Sequence, residues 1–184
     1  VARSSGQLEI DAEVTSLQSR ISISPEMDLA ALKRAVIDYE KGLFFESTGY
    51  LSVTGTDDID FSEPGRFDTV REHILVHKYY LNQSQPAEIG FGEALWSWHE
   101  NVYAPIVLAI EEEHMLGMFP GRTAADLYLF LVRHWDELKA GQQGEVGIGE
   151  AVRDFKRSSL ESRQSPSGIL GVLHTKFFGK GKKK

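Results

Sequence analysis

Four residues of this chain stand at spacings that metal chemistry uses. His73 and His77 lie four apart in a segment with helical periodicity, which can turn two imidazoles toward one ion. Glu111 and His114 form a Glu-x-x-His element, the unit from which carboxylate-bridged di-iron bundles are built. Such bundles use two of these elements and two further glutamates, and here there is one copy. The four residues define one alternative for the protein, a metal-dependent helical-bundle enzyme with zinc or iron in a carboxylate and histidine site. The competing reading is structural. His77 falls on the apolar stripe of its helix, where a histidine bonded to a carbonyl or carboxylate is commoner than a ligand. We adopt the structural reading, with no cofactor and no catalytic residue.

Other chemistries find no motif. His99-Glu100 is followed by Asn101, Val102 and Tyr103, so the zinc-protease pattern H-E-x-x-H is absent. No G-x-S-x-G turn is present for a serine nucleophile, and no G-x-x-x-x-G-K-[ST] loop for phosphate. Gly90-x-Gly92 follows no convincing strand and lacks the third glycine of a dinucleotide fingerprint. The chain contains no cysteine, which excludes disulfides, thiolate metal sites and thiol nucleophiles.

Two basic residues have a different potential. Arg66 and Arg122 each follow Pro-Gly at a helix entrance, where backbone N–H groups and a guanidinium can hold an anion. The bland alternative is that each pairs with a local acid such as Glu63 or Asp126 and fixes the turn. Trp96, Trp98, Tyr103, Tyr128 and Trp135, at helical spacing, read as core rather than as a ligand box.

The strongest functional lead is the C-terminal segment S-G-I-L-G-V-L-H-T-K-F-F-G-K-G-K-K-K. Ile169, Leu170, Leu173, Phe177 and Phe178 supply apolar anchors, and Lys176 and Lys180 begin a cationic end that contains no acid. A segment of this kind can enter a groove on a protein partner, lie on an anionic membrane or contact nucleic-acid phosphates. It can also cover the domain's own core. Charge is polarised to match: residues 1–150 hold 11 Lys or Arg against 25 Asp or Glu, net −14, whereas residues 151–184 hold 9 against 2, net +7. Any contact with phosphate therefore falls to the tail.

The elements that position these residues are helical. From Asp28, a plausible N-cap, Leu29, Leu32, Val36, Tyr39 and Leu43 recur at helical spacing over 28–47. Tyr50 to Val53 reads as a short extended stretch before a loop at 54–60. A second helix over 66–82 places Phe67, Val70, Ile74, His77 and Leu81 on one stripe. A third, from Gly92, carries Leu95, Trp98, Val102, Ile106 and Ile110, and Pro105 within it predicts a kink or break. Pro120-Gly121 suits a type II turn, and Thr123 with Asp126 forms a capping box that opens a mostly buried helix over 124–140.

The chain length suits one domain. No apolar run approaches the roughly 18 residues of a membrane span, and the N-terminus lacks a secretion signal, so a cytoplasmic protein is expected. The organisation predicted is an N-terminal arm over 1–27, a helical core domain over 28–140, a linker and amphipathic helix over 141–168, and the apolar and lysine-rich tail over 169–184. The fold class is mainly α, a single domain of four to five principal helices with mobile ends.

Three runs carry a family resemblance: S-E-P-G-R-F-D-T-V-R-E-H-I-L-V-H-K-Y-Y-L (62–81), G-E-A-L-W-S-W-H-E-N-V-Y-A-P-I-V (92–107) and F-P-G-R-T-A-A-D-L-Y-L-F (119–130). In this order they resemble a helical region of uncharacterised bacterial proteins, found C-terminal to ParB-like or sulfiredoxin-like domains. The similarity covers roughly residues 36–140. The D-G-H-H-R type segment that marks the nuclease-type domain is missing, so the resemblance implies a freestanding helical region and transfers no catalytic residue. The function expected is a non-catalytic accessory protein that docks through its tail to a larger macromolecular assembly, with a nucleic-acid binder as a further alternative.

Overall fold

The computed structural model describes residues 28–84, 86–141 and 146–164. The expected N-terminal arm and basic tail lie outside the described residues. Within them the protein is an all-helical domain with no strand: α1 (Leu29–Thr48), α2 (Tyr50–Thr54), α3 (Phe67–Ser84), α4 (Phe91–Trp98), a π-helical turn (His99–Tyr103), α5 (Ala104–Glu112), a 3-10 turn (Met115–Met118), α6 (Ala124–Gly141) and α7 (Ile148–Gln164). The run from α4 through the π turn to α5 is continuous, so α1, α3, that run, α6 and α7 are the principal helices. No helix among the described residues is long and apolar enough to cross a membrane.

Helix α1 begins where the Asp28 carboxylate accepts the Ala31 N–H at 2.7 Å. It ends at Gly49, whose φ of 68° lets its N–H return to the Phe45 carbonyl. The buried face of α1 is formed by Ile37, Phe44 and Thr48, which corrects the stripe read from sequence: Leu29 is 82% exposed and Leu43 is also exposed. The phenyl group of Phe44 decides the rotation, because it packs on both Tyr50 and Phe67. The extended stretch expected at Tyr50–Val53 is likewise corrected to helix α2. Gly49 turns the chain so that the Tyr50 ring stacks on Phe45 at 4.9 Å, and helical geometry keeps it there.

The interruption expected at Pro105 takes the form of the π turn just before it. Proline has no N–H and crowds the carbonyl of the preceding turn. The wider loop, in which the Ala104 N–H reaches the His99 carbonyl, accommodates it. A π turn also contains one residue more than an α turn, so Trp98 and its neighbour His99 are both buried. Beyond it, Tyr103, Ile106 and Ile110 return to the core.

Helix α6 is held at its start by the expected capping box. Asp126 N–H donates to Thr123 Oγ1 at 3.1 Å, and Thr123 N–H donates to Asp126 Oδ2 at 3.0 Å. The turn before it has Gly121 at φ 79° with the Arg122 N–H bonded to the Phe119 carbonyl, as a type II turn requires. No residue from Ala124 to Val132 is exposed, so the helix is buried around most of its circumference there.

The core boundary drawn at residue 140 needs extending. Val152 of α7 belongs to the main core cluster, and Phe155 stacks on Phe119 at 5.8 Å. Polar bonds fasten the same helix and its approach: His134 Nε2 lies 2.9 Å from Asp154, Trp135 Nε1–H donates to the Val146 carbonyl, and Lys156 Nζ is 2.8 Å from Glu113. The amphipathic helix is thus a wall of the domain.

Between α2 and α3 the chain is a strap with Ile59 and Phe61 fully buried. Its backbone is clamped to α6, because the buried Asp126 carboxylate accepts the Ser62 N–H at 3.2 Å and Thr123 Oγ1 donates to the Asp60 carbonyl at 2.6 Å. Asp126→Ala leaves two backbone N–H groups without their charged acceptor. It is expected to lower stability by about 2 to 3 kcal/mol in urea unfolding, with Asp126→Asn losing less.

Candidate functional site

The four residues of the metal alternative are not assembled into one site. His73 Nδ1 lies 3.0 Å from the Tyr128 hydroxyl on α6, whereas His77 Nε2 lies 3.0 Å from Ser97 Oγ on α4. The two rings therefore serve different neighbours although their spacing allows a shared ion. The Glu111-x-x-His114 element fails for a separate reason. Helix α5 ends within it, and His114 sits at a left-handed φ of 52° with its N–H on the Glu111 carbonyl, so the two side chains do not share a helical face. No group of three or more His, Asp or Glu with metal-holding geometry occurs among the described residues.

The protonation of His73 follows from its partners. Trp98 Nε1–H, which can only donate, gives its proton to the Tyr128 oxygen at 3.0 Å. The single Tyr128 proton is then directed at His73 Nδ1, placing the ring proton of neutral His73 on Nε2. Burial holds the His73 imidazole below the usual histidine range and pushes the Tyr128 phenol up. Burial lowers His77 too.

A second histidine network joins the strap to the π turn, and sequence reasoning missed it. His99, 4% exposed, has Nε2 3.0 Å from Asp58 and Nδ1 3.0 Å from Glu100. Carboxylates only accept, so both contacts are hydrogen bonds when both ring nitrogens carry protons. Asp58 also accepts from the Tyr50 hydroxyl at 2.7 Å and Thr56 Oγ1 at 2.9 Å, and its carbonyl accepts from Tyr103. Burial alone would raise the Asp58 pKa; the bonds from Tyr50, His99 and Thr56 together outweigh it and hold the carboxyl below the usual range. The Tyr50 phenol is pushed up, chiefly by burial and then by Asp58.

The anion-binding reading of the two Pro-Gly-Arg turns meets occupied donors. Arg122 Nη1 binds Ser62 Oγ at 3.1 Å and Glu63 at 3.3 Å, and Lys33 binds the same Glu63 at 2.9 Å. These cations, with Arg66 nearby, hold the Glu63 carboxyl below its usual range, the Lys33 hydrogen bond contributing most. The Gly65 N–H is taken by Glu40 at 2.7 Å and the Thr123 N–H by Asp126. Protein carboxylates thus already stand at the Arg122, Gly65 and Thr123 donors, where an incoming anion would.

Of the aromatic residues read as core, Trp98, Tyr103 and Tyr128 are buried and mutually packed, with Trp98 stacked on Tyr103 at 5.2 Å. Trp135 is half-buried beneath Lys139, and Trp96 is exposed.

The outer face of α7 carries two shallow hollows. Arg153, Lys156, Arg157, Leu160 and Glu161 line a shallow hollow of about 250 Å³. Arg153 and Arg157 also line a neighbouring hollow of about 180 Å³ with Leu138, Glu150 and Asp154. Leu160 is exposed, and the cationic side chains present aliphatic stems as well as charged heads. The sequence signal for this face was the change in charge balance after residue 150. The anchors Ile169, Leu170, Leu173, Lys176, Phe177, Phe178 and Lys180 lie outside the described residues.

Comparison with protein-family models, with curated proteins and with solved structures finds no match for this chain.

Three measurements test these networks. Tyr128→Phe removes the acceptor of Trp98 and the donor to His73, so unfolding should show a loss of about 1 to 3 kcal/mol. Nitrogen NMR of the unmodified protein should find the His73 ring proton on Nε2, with titration below that of free histidine. For Asp58 the lowered folded pKa means that its stabilising contribution is complete above the unfolded value and is lost as pH falls through about 4 and below. Asp58→Asn should therefore flatten the decline of stability in that acid window, as followed by urea midpoints against pH.

Proposed function

We propose that the protein is a non-catalytic interaction or accessory protein that docks to a larger macromolecular assembly, and that α7 and the segment following it form the docking element. The observation that carries this reading is the outer face of α7, an apolar hollow rimmed by Arg153, Lys156, Arg157 and Glu161, with Lys156 paired to Glu113 and Arg157 to Asp154, on a helix locked to the domain by Val152, Asp154 and Phe155. The same pairing of apolar and cationic side chains continues in Ile169 to Lys184. A rigid helix leading into such a segment limits the orientations a partner must select, which reduces the ordering cost of binding.

An acidic groove on a protein is the occupant this chemistry suits best. Apolar anchors fill pockets while lysines and arginines steer the encounter. The internal roles of His73, His77 and His99 agree with this reading, since their ring nitrogens contribute to the fold.

Quantitative mass spectrometry of material retained from native lysate tests the reading. The intact chain, the chain truncated after Ser165 and the Arg153→Glu/Arg157→Glu variant are compared. One assembly enriched by the intact chain, lost on truncation and reduced at least tenfold by the double substitution is expected. Equal retention by all three would overturn it. Retention of nucleic acid with a steep salt dependence would replace it with the nucleic-acid alternative.

A further inference from the structure

Helix α3 has two apolar faces. Phe67, Val70 and Ile74 point into the core, while Leu75, Val76, Tyr79 and Tyr80 lie on the opposite side. Their exposures are 47%, 54%, 61% and 63%, and the two tyrosine rings contact each other at 5.6 Å between centroids. Isolated exposed apolar residues are ordinary, but four contiguous ones over a helical turn and a half, two of them aromatic, make a patch of the kind that marks interaction sites.

We infer that this face is a homodimer contact in which α3 packs antiparallel on α3 of a second copy. The pattern of the patch selects this occupant. Leu75–Tyr79 and Val76–Tyr80 are two adjacent ridges at i, i+4 spacing, and such ridges interdigitate in the commonest class of helix packing. A two-fold axis passing between His77 and Lys78 sets Leu75 against Tyr80 of the other copy, and Val76 against Tyr79. Each contact then joins an aliphatic side chain to an aromatic one.

Polar residues at the ends of the patch agree with the same axis. Glu72 and Gln83 continue the stripe through Val76 and Tyr79 and are both exposed. In the antiparallel arrangement Glu72, which only accepts, meets the amide donor of Gln83 in the other copy at both ends of the contact. A parallel arrangement would bring Glu72 against Glu72. The patch is thus complementary to itself in one orientation, as an isologous contact requires.

Four side chains a half to two-thirds exposed supply a few hundred Å² per copy, less than the roughly 800 Å² per partner of a standard interface. The dimer is therefore weak and concentration-dependent. It is independent of the tail and does not rest on the docking role of α7.

Analytical ultracentrifugation of the full chain from about 1 to 500 µM, the range in which a weak contact titrates, tests the inference. The mass should rise from the 20.6 kDa monomer toward twice that value. Tyr79→Glu/Tyr80→Glu should remain monomeric throughout with unchanged helical circular dichroism, while truncation after Ser165 should leave association intact. Gln83→Glu alone should weaken association at least tenfold by placing it opposite Glu72, and adding Glu72→Lys should restore it. A chain that stays monomeric over the whole range, association that survives the tyrosine substitutions, or a Gln83→Glu defect that Glu72→Lys does not rescue would each overturn the inference.

Discussion

The buried carboxylate of Asp126 is the interaction on which the arrangement of the domain depends. A charge with 2% exposure is tolerated in a protein interior only where donors surround it. Here they are backbone N–H groups of Thr123 and Ser62, one at the start of α6 and the other 64 residues away in the strap. The same carboxylate thus caps a helix and fixes the path of a loop. Ile59 and Phe61, which the loop carries into the core, keep their places because its backbone is held at Asp60 and Ser62.

The strap in turn organises the histidine chemistry. With Asp60 fixed, Asp58 is presented to the π turn, where His99 is turned inward by the extra residue of that turn. Tyr50, Tyr103 and Thr56 complete the surroundings of Asp58, so α2, the strap and the α4–α5 run meet at one carboxylate. His73 joins α3 to α6 through Tyr128 by similar logic. Histidine serves this purpose well, because one planar ring bonds in two directions while its carbon edges pack against aromatic neighbours.

What could be read from the sequence was local. The Asp28 cap, the Thr123 and Asp126 box and the Pro-Gly turns each depend on a few neighbouring residues, and each formed as expected. The buried face of α1 was misread because Leu29, Leu32, Val36, Tyr39 and Leu43 compete with a second stripe through Ile37 and Phe44, and only tertiary contacts with Tyr50 and Phe67 choose between them. Pro105 signalled an interruption but not that it would take the form of a wider turn. The Asp58–His99 pair, 41 residues apart, left no local trace. In α7, amphipathicity was visible, yet its membership in the core rests on Val152 and on Phe155 meeting Phe119.

The π turn takes up one residue without changing which face of the central run meets the core. Leu95 and Trp98 before it and Tyr103, Ile106 and Ile110 after it are all buried, and the step from Trp98 to Tyr103 is one residue longer than an α-helical stripe takes. If the same five residues wound as ordinary α-helix, everything beyond them would turn by about 100° about the helix axis relative to α4, and Ile106 and Ile110 would leave the interior together. Removing one residue from His99–Tyr103 would instead leave a continuous α-helix with the same stripe toward the core. A deletion is therefore absorbed within the turn, whereas an insertion or deletion elsewhere in the run would shift the phase between the two halves of the domain.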